Sequence, residues 1–263
     1  MIQSWQIMTF CQMVHLNQKK FKDCKTLTTK NNITCMLEKE LLLFHHHLKI
    51  GLSGTHHLWQ AGRTQFDRNR FKRQFMIKAT YSDKNTIVEI LAGSFNDNKS
   101  VNYIVKQDKL RRERIKKLMA YSFEVCNSFG RVVLSENKKA CALIIFPDKK
   151  RTTLRSTLRD VNLITNCIGL GGLTKVVFRE KKIKSLQPEQ LLYYLWFIGV
   201  SPEEQNKGIG SNLLTEIIWD SEKENRTLCL ETSTEKNIPW YQKFGFKIYS
   251  ELDFGYKLFF LKR

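Results

Sequence analysis

The chain has 263 residues, 42% of them hydrophobic, and a formal net charge of +19 from 44 Lys+Arg against 25 Asp+Glu. That length and apolar content suffice for a core in one large or two small domains, and they exclude a low-complexity chain. The longest apolar run, Leu191 to Val200, is far shorter than a bilayer span, and the first residues lack the basic-then-apolar order of a signal peptide, so a cytoplasmic protein with no membrane partner is expected.

The charge is unevenly spread. Residues 1–75 carry 12 Lys+Arg against 4 Asp+Glu, and the rest carry 32 against 21. All six histidines also precede residue 76, where no sustained helical or alternating period appears beyond Met36 to Phe44. Residues 1–75 therefore read as an N-terminal extension, poorly ordered or an upstream leader, with Met76 as the natural start. The His45-His46-His47 and His56-His57 groups do not read as a metal site: adjacent imidazoles point in different directions, and no Cys or Asp pair completes a tetrahedral set. Seven cysteines, an odd number with no C-x-x-C spacing, read as reduced thiols. A basic surface suits a polyanionic cofactor, and no arginine-rich helix interleaved with aromatics points to nucleic acid as the main partner.

From Met76 onward each segment has a regular period. Ile77–Tyr81 reads as a short strand, and Ser82-Asp83 as the cap of a helix reaching Phe95. A longer helix after Asp108 carries the stripe Ile115, Leu118, Met119, Ser122, Val125, Cys126 and Phe129, and ends at Gly130. Arg131–Leu134 and Ala140–Phe146 flank the polar Ser135–Lys139 and form a hairpin. Residues 148–187 look like a helical insertion broken by Gly169-Leu170-Gly171-Gly172, a helix-to-helix turn because no strand leads into it.

Leu191 to Val200 is apolar on both alternations, as in a central strand covered on both faces. Gly199 within it signals a bulge or the close approach of a backbone or ligand. The next residues, Gln205-Asn206-Lys207-Gly208-Ile209-Gly210-Ser211, lead into an amphipathic helix whose apolar side repeats at Leu213, Leu214, Ile217 and Ile218. Strand, glycine loop and helix together form a phosphate cradle: the glycines let successive N–H groups face one point, and the helix N-terminus adds partial positive charge. Thr227–Glu231 is the next strand, Pro239–Phe244 a short helix, and Phe246–Ser250 and Tyr256–Leu261 a closing antiparallel pair.

Val200-Ser201-Pro202-Glu203-Glu204-Gln205-Asn206-Lys207-Gly208-Ile209-Gly210 resembles the V-x-P-x-x-[QR]-x-x-G-x-[GA] signature of the GNAT N-acetyltransferases, and Asn237 to Phe246 resembles that family's N-x-x-x-Y-x-x-x-G-F. The resemblance covers about 76–263 and implies an α/β fold with a mixed, mostly antiparallel central sheet flanked by helices. It implies acetyl-CoA as cofactor and a primary amine, on a small molecule or a protein, as acceptor. It further implies that Gln205, Asn206, Lys207, Gly208, Ile209, Gly210 and Ser211 hold the pyrophosphate, and that the backbone of Phe197, Ile198, Gly199 and Val200 holds the pantetheine arm. In the same way the Ile198 N–H would polarise the thioester carbonyl, Asn237 would contact the cofactor, and Tyr241 would be general acid to the departing thiolate.

Many relatives place a glutamate base on the central strand. The corresponding position here is Tyr194, so a conventional base is absent from the run; water on backbone carbonyls, Glu231, or an acceptor of low amine pKa are the routes left. Glu231 and Glu203 otherwise read as solvated or structural carboxylates. Tyr193, Tyr194 and Trp196 alternate and are expected to line the acceptor pocket together with the 148–187 insertion. A non-catalytic acyl-CoA-binding module is the alternative reading, and a basic nucleic-acid-binding protein a more distant one.

Overall fold

A computed structural model describes residues 75–263. The expectations for the leader, the histidine groups and Cys11, Cys24 and Cys35 lie outside the described residues. Seven strands are β1 (Met76–Lys78), β2 (Gly130–Ser135), β3 (Ala140–Ile145), β4 (Leu192–Val200), β5 (Thr227–Thr232), β6 (Lys247–Asp253) and β7 (Lys257–Lys262). They form one sheet in the order β1-β2-β3-β4-β5-β7-β6, antiparallel at every junction except the parallel β4–β5 pair.

Helices α1 (Lys84–Ser94), α2 (Lys99–Ile104) and α3 (Arg111–Phe129) precede the β2–β3 hairpin. The short α2 carries only Val101 as a buried residue, too little for a sequence period to reveal. In α3 the expected stripe is buried from Ile115 to Cys126, joined by Phe123. The insertion forms α4 (Leu154–Leu163), prolonged by a π-helical turn at Ile164–Ile168, and α5 (Leu173–Leu186), with the glycine cluster between them as a turn. Then follow α6 (Ile209–Lys223) and α7 (Ile238–Lys243).

The sheet separates two apolar layers. Ile87, Leu91, Met119, Phe123 and Cys126 of α1 and α3 pack on one face, with Leu143, Tyr194 and Phe197. Leu213, Leu214, Ile217 and Tyr241 of α6 and α7 pack on the other, with Tyr193, Leu195 and Phe259. Both faces of β4 are thus covered, as its continuous apolar run requires. The four cysteines among the described residues are free and buried, behaving as small apolar side chains. No single helix among the described residues is long and apolar enough to cross a membrane.

Two irregularities in β4 shape the molecule. Leu143 pairs with Phe197 and Ile144 with Leu195, which leaves Trp196 as an extra residue and makes a β-bulge. On the other side, pairing with β5 runs from Leu192↔Thr227 to Tyr194↔Cys229 and goes no further. The C-terminal halves of β4 and β5 are therefore unpaired with each other, and a cleft opens between them.

Candidate active site

The bulge decides which atoms of β4 face the cleft. Ser201 N–H donates to the Lys139 carbonyl directly opposite, at 2.8 Å. Backbone polar groups alternate along a strand, so those of Gly199 and Phe197 also point to β3, while those of Ile198 and Val200 point toward the cleft. The Val200 carbonyl accepts from the Ser94 hydroxyl at 2.6 Å and the Gln205 amide at 3.3 Å. Phe197 and Gly199 therefore cannot serve through their backbone as the family resemblance implies; the Ile198 N–H can. The close approach at Gly199 also has a different cause from a ligand. A Cβ there would lie 2.9 Å from Leu91 Cδ2 and 3.1 Å from Ser94 Oγ, so the glycine admits α1 against the sheet.

At the loop, Asn206 and Gly208 have φ of 63° and 80°, the left-handed conformation that turns the chain into α6. Asn212 N–H, bonded to the Gly208 carbonyl, is the first satisfied donor of that helix. Among the described residues no acceptor meets any N–H from Asn206 through Ser211. Such a run of free donors at a helix N-terminus fits a diphosphate. A Cβ on Gly210 would lie 3.2 Å from Val200 Cγ2, so this glycine seats the helix on β4. Two side chains in the loop are already engaged: Lys207 pairs with Glu204 at 3.0 Å, and the Ser211 hydroxyl accepts from the Trp240 indole at 3.0 Å.

Where β4 and β5 part, a cavity of about 450 Å³ reaches from Tyr241 and Asn237 to the insertion helices. Tyr241 is 5% exposed, yet its hydroxyl has no hydrogen-bond partner among the described residues, and burial pushes its pKa up. Asn237 precedes α7 without capping it through its side chain. Neither is thus consumed by a structural bond, and both line the cavity.

The cavity also contains a carboxylate that counting along β4 could not place. Glu231, on β5, accepts a hydrogen bond from the Tyr194 hydroxyl. Burial pushes the Glu231 carboxyl up to about 7, against the opposing pull of Tyr194 and the Arg179 guanidinium. Tyr194, where the resemblance led us to expect a glutamate, is thus hydrogen-bonded to a glutamate held by the next strand. Its own pKa is driven up by burial first and by Glu231 second. Arg179 is 5% exposed and is held by Tyr256 Oη at 3.0 Å, Ser100 Oγ at 2.6 Å and Glu180 at 2.6 Å. Glu203, in contrast, is exposed and bonded to the Ser201 hydroxyl, as expected of a solvated carboxylate.

Of the three aromatic residues expected at the acceptor pocket, Tyr194 and Trp196 line the cavity. Tyr193 does not. It is fully buried on the opposite face, where its hydroxyl donates to Asp220 of α6 at 2.6 Å. Strand alternation is the reason, since Tyr193 and Leu195 face one side and Tyr194 and Trp196 the other; the bulge then adds Phe197 to the face of Tyr194 and Trp196. The 148–187 insertion lines the cavity as expected, through Lys150, Asp160 and Arg179 among others, whereas Tyr121 of α3 was not foreseen. A charged residue within the apolar run Leu228-Cys229-Leu230 to Glu231 was the available signal for the carboxylate. Among the described residues no group of His, Cys, Asp and Glu could hold a metal ion.

Residues 166–248 match the family model described as "Acetyltransferase (GNAT) domain". A histone acetyltransferase HPA2 and related acetyltransferase from Corynebacterium glutamicum superposes with a TM-score of 0.56 at 16% identity, over 72% of this chain and 94% of that one. The C-terminal condensation domain of Ebony, solved with beta-alanyl-dopamine, gives 0.54 at 10% identity, over 72% and 97%. At such identities the likeness is one of fold. Residues 166–248, from the insertion to β6, are thus similar in sequence to a GNAT acetyltransferase domain, and the chain shares the fold of these two solved structures.

Proposed function

We propose that the protein is an acetyl-CoA-dependent N-acetyltransferase acting on a primary amine in a ternary complex. The observation that carries the reading is the conjunction of six free N–H groups, Asn206 to Ser211, with an unpaired β4 edge and an unengaged Tyr241 hydroxyl in one cleft. Acetyl-CoA fits the first by charge and the second as an added strand, and when bound it supplies the activated acyl group.

The chain's own residues then have distinct tasks. The loop N–H groups hold the diphosphate, and the N–H of Ile198 donates to the thioester carbonyl, where negative charge grows during attack. Glu231, ionised, takes the proton from the acceptor ammonium, and the freed amine lone pair forms the bond to the acyl carbon. Tyr241 gives its proton to the departing sulfur as the carbon–sulfur bond breaks. Its raised pKa keeps the phenol protonated until that moment. Tyr194 positions the Glu231 carboxylate. With a carboxylate supplied from β5, the non-catalytic reading loses the missing base that was its support.

The test is release of free thiol by the full-length protein with acetyl-CoA and a panel of amines. Amine-dependent release is expected. Tight CoA binding with no release for any amine would overturn the proposal.

A further inference from the structure

Helix α5 lies over the face of the sheet that carries Glu231. Its Ile183 packs with Tyr256, Leu258 and Phe260, alternate residues leading into β7 and along it. Phe260 stands directly opposite Glu231 in the β5–β7 ladder, so the two side chains share that face. Arg179 is one helical turn before Ile183, on the same side of α5, and it lines the same cavity as Glu231.

This buried guanidinium is fixed from several elements. Nε donates to the Tyr256 hydroxyl at 3.0 Å, one terminal nitrogen to the Ser100 hydroxyl of α2 at 2.6 Å, and the other to Glu180 at 2.6 Å. Tyr256 and Ser100 are uncharged partners, and the Glu180 side chain is 43% exposed, where water screens its charge. Arginine cannot shed its own charge by losing a proton. Apolar packing does not call for a cation here, since Val176 and Ile183, a turn away on either side, already supply the buried contacts of α5.

The titratable and charged groups around Glu231 are Tyr194 on β4, Cys229 on its own strand, Tyr249 on β6, and Arg179 with Glu180 on α5. Of these, Arg179 alone is a cation. Burial drives the carboxyl toward the neutral acid; the Tyr194 bond and the Arg179 charge oppose it, and Glu180 reinforces it.

We infer that Arg179 is a positioning residue for the proposed base: carried on the insertion, it fixes a positive charge over the sheet face of Glu231 and holds the carboxylate ionised for the acceptor ammonium. The inference rests on the transferase reading and makes α5 part of the proton-transfer apparatus as well as a wall of the cavity. Tyr194 acts on Glu231 by a hydrogen bond and Arg179 by charge, so the two contributions are separable.

The experiment compares full-length Arg179→Met and Arg179→Lys with the parent by thiol release from pH 5.5 to 9.5. Arg179→Met should move the break up by about one pH unit, lowering kcat/KM ~tenfold at pH 6 and less than ~threefold at pH 9, with CoA affinity kept. Arg179→Lys keeps the charge and should return the break toward that of the parent. A residue that merely holds α5 in place would lower kcat/KM by one factor at every pH and leave the break where it was, and that result overturns the inference. If Arg179→Met does not fold, Tyr256→Phe takes its place: the ring still packs on Ile183, the bond to Nε is lost, and the break should again rise. An unmoved break in that variant overturns the inference equally. The same shift is readable without turnover, from the infrared band of the protonated Glu231 carboxyl, assigned by its loss in Glu231→Gln. No turnover with any amine therefore removes the transferase reading, while this titration still decides whether Arg179 acts on Glu231.

Discussion

If Glu231 is the base, the pH dependence of turnover should break near 7. An ordinary glutamate has a value of 4.5, and burial raises this one to about 7. That difference is about 3 kcal/mol of preference for the neutral acid, the energetic cost of an ionisable group in an apolar cleft. At pH 6 roughly a tenth of the molecules carry the carboxylate, and at pH 8 roughly nine-tenths. The acceptor, with an amine pKa of ~10, is an ammonium throughout that interval. With ionised Glu231 and ammonium acceptor as the productive pair, kcat/KM should climb about tenfold per pH unit below 7 and level off from about 7 to ~10. Without an enzyme base, the rate would follow the free amine and keep rising to ~10. Thiol release measured from pH 5.5 to 9.5 with saturating donor separates the two. Glu231→Gln should lower kcat by ~10²–10⁴ and convert the plateau into a continued rise. A plateau near pH 7 that survives in Glu231→Gln would refute the assignment.

Tyr194→Phe removes the hydrogen bond that favours the ionised carboxylate, so the break should move to higher pH in the same assay. Tyr241→Phe should reduce kcat by ~10²–10³ with CoA affinity nearly unchanged, measured by equilibrium binding beside turnover; equal rates would exclude the acid role. Gly208→Glu puts a side chain at φ 80° and a carboxylate among the free N–H groups, and CoA affinity should fall on the order of a hundredfold or more. Stability should also report on Glu231. Its folded-state pKa lies above the unfolded one, so the favourable contribution is complete below 4.5 and is lost as pH rises to about 7. Glu231→Gln should therefore be more stable than the parent at pH 8, by at most about 3 kcal/mol, and similar to it near pH 4.5, as read by denaturant melts.

Much of this was legible in the chain because local chemistry dictates it. The stripe from Ile115 to Cys126, the hairpin around Ser135–Lys139, and the glycine loop entering α6 each carry their own period or turn residues, and each forms as read. That loop needed only Gly208, Gly210 and the helix behind them. What stayed hidden depends on register. Alternation alone sends Tyr193 to α6 and Tyr194 and Trp196 to the cavity, but the extra residue at Trp196 brings Phe197 onto their face, and period-two reasoning along an all-apolar strand gives no sign of it. Tyr121, on α3, and Lys150, Asp160 and Arg179, spread through the insertion, share no local period, so only tertiary packing brings them together.

The end of the β4–β5 ladder also explains how a carboxylate on β5 can serve position 194. A glutamate at position 194 would project from β4 on the same face that Tyr194 now occupies, beside β5. At Tyr194↔Cys229 the two strands are still paired, and Glu231 lies two residues further on, on the same face as Cys229 and beyond the last ladder contact. A tyrosine at 194 is long enough to reach it and ends in a donor, whereas a second carboxylate there would place two like charges together and drive one of them neutral. The Tyr194–Glu231 pair thus keeps one ionisable carboxyl in the cleft, near neutrality, with its position fixed from the neighbouring strand. Moving the acid back, as Tyr194→Glu with Glu231→Gln, should therefore retain a pH break, whereas Tyr194→Glu alone should split it into two. A single unchanged break in Tyr194→Glu would show that the two positions do not share one site.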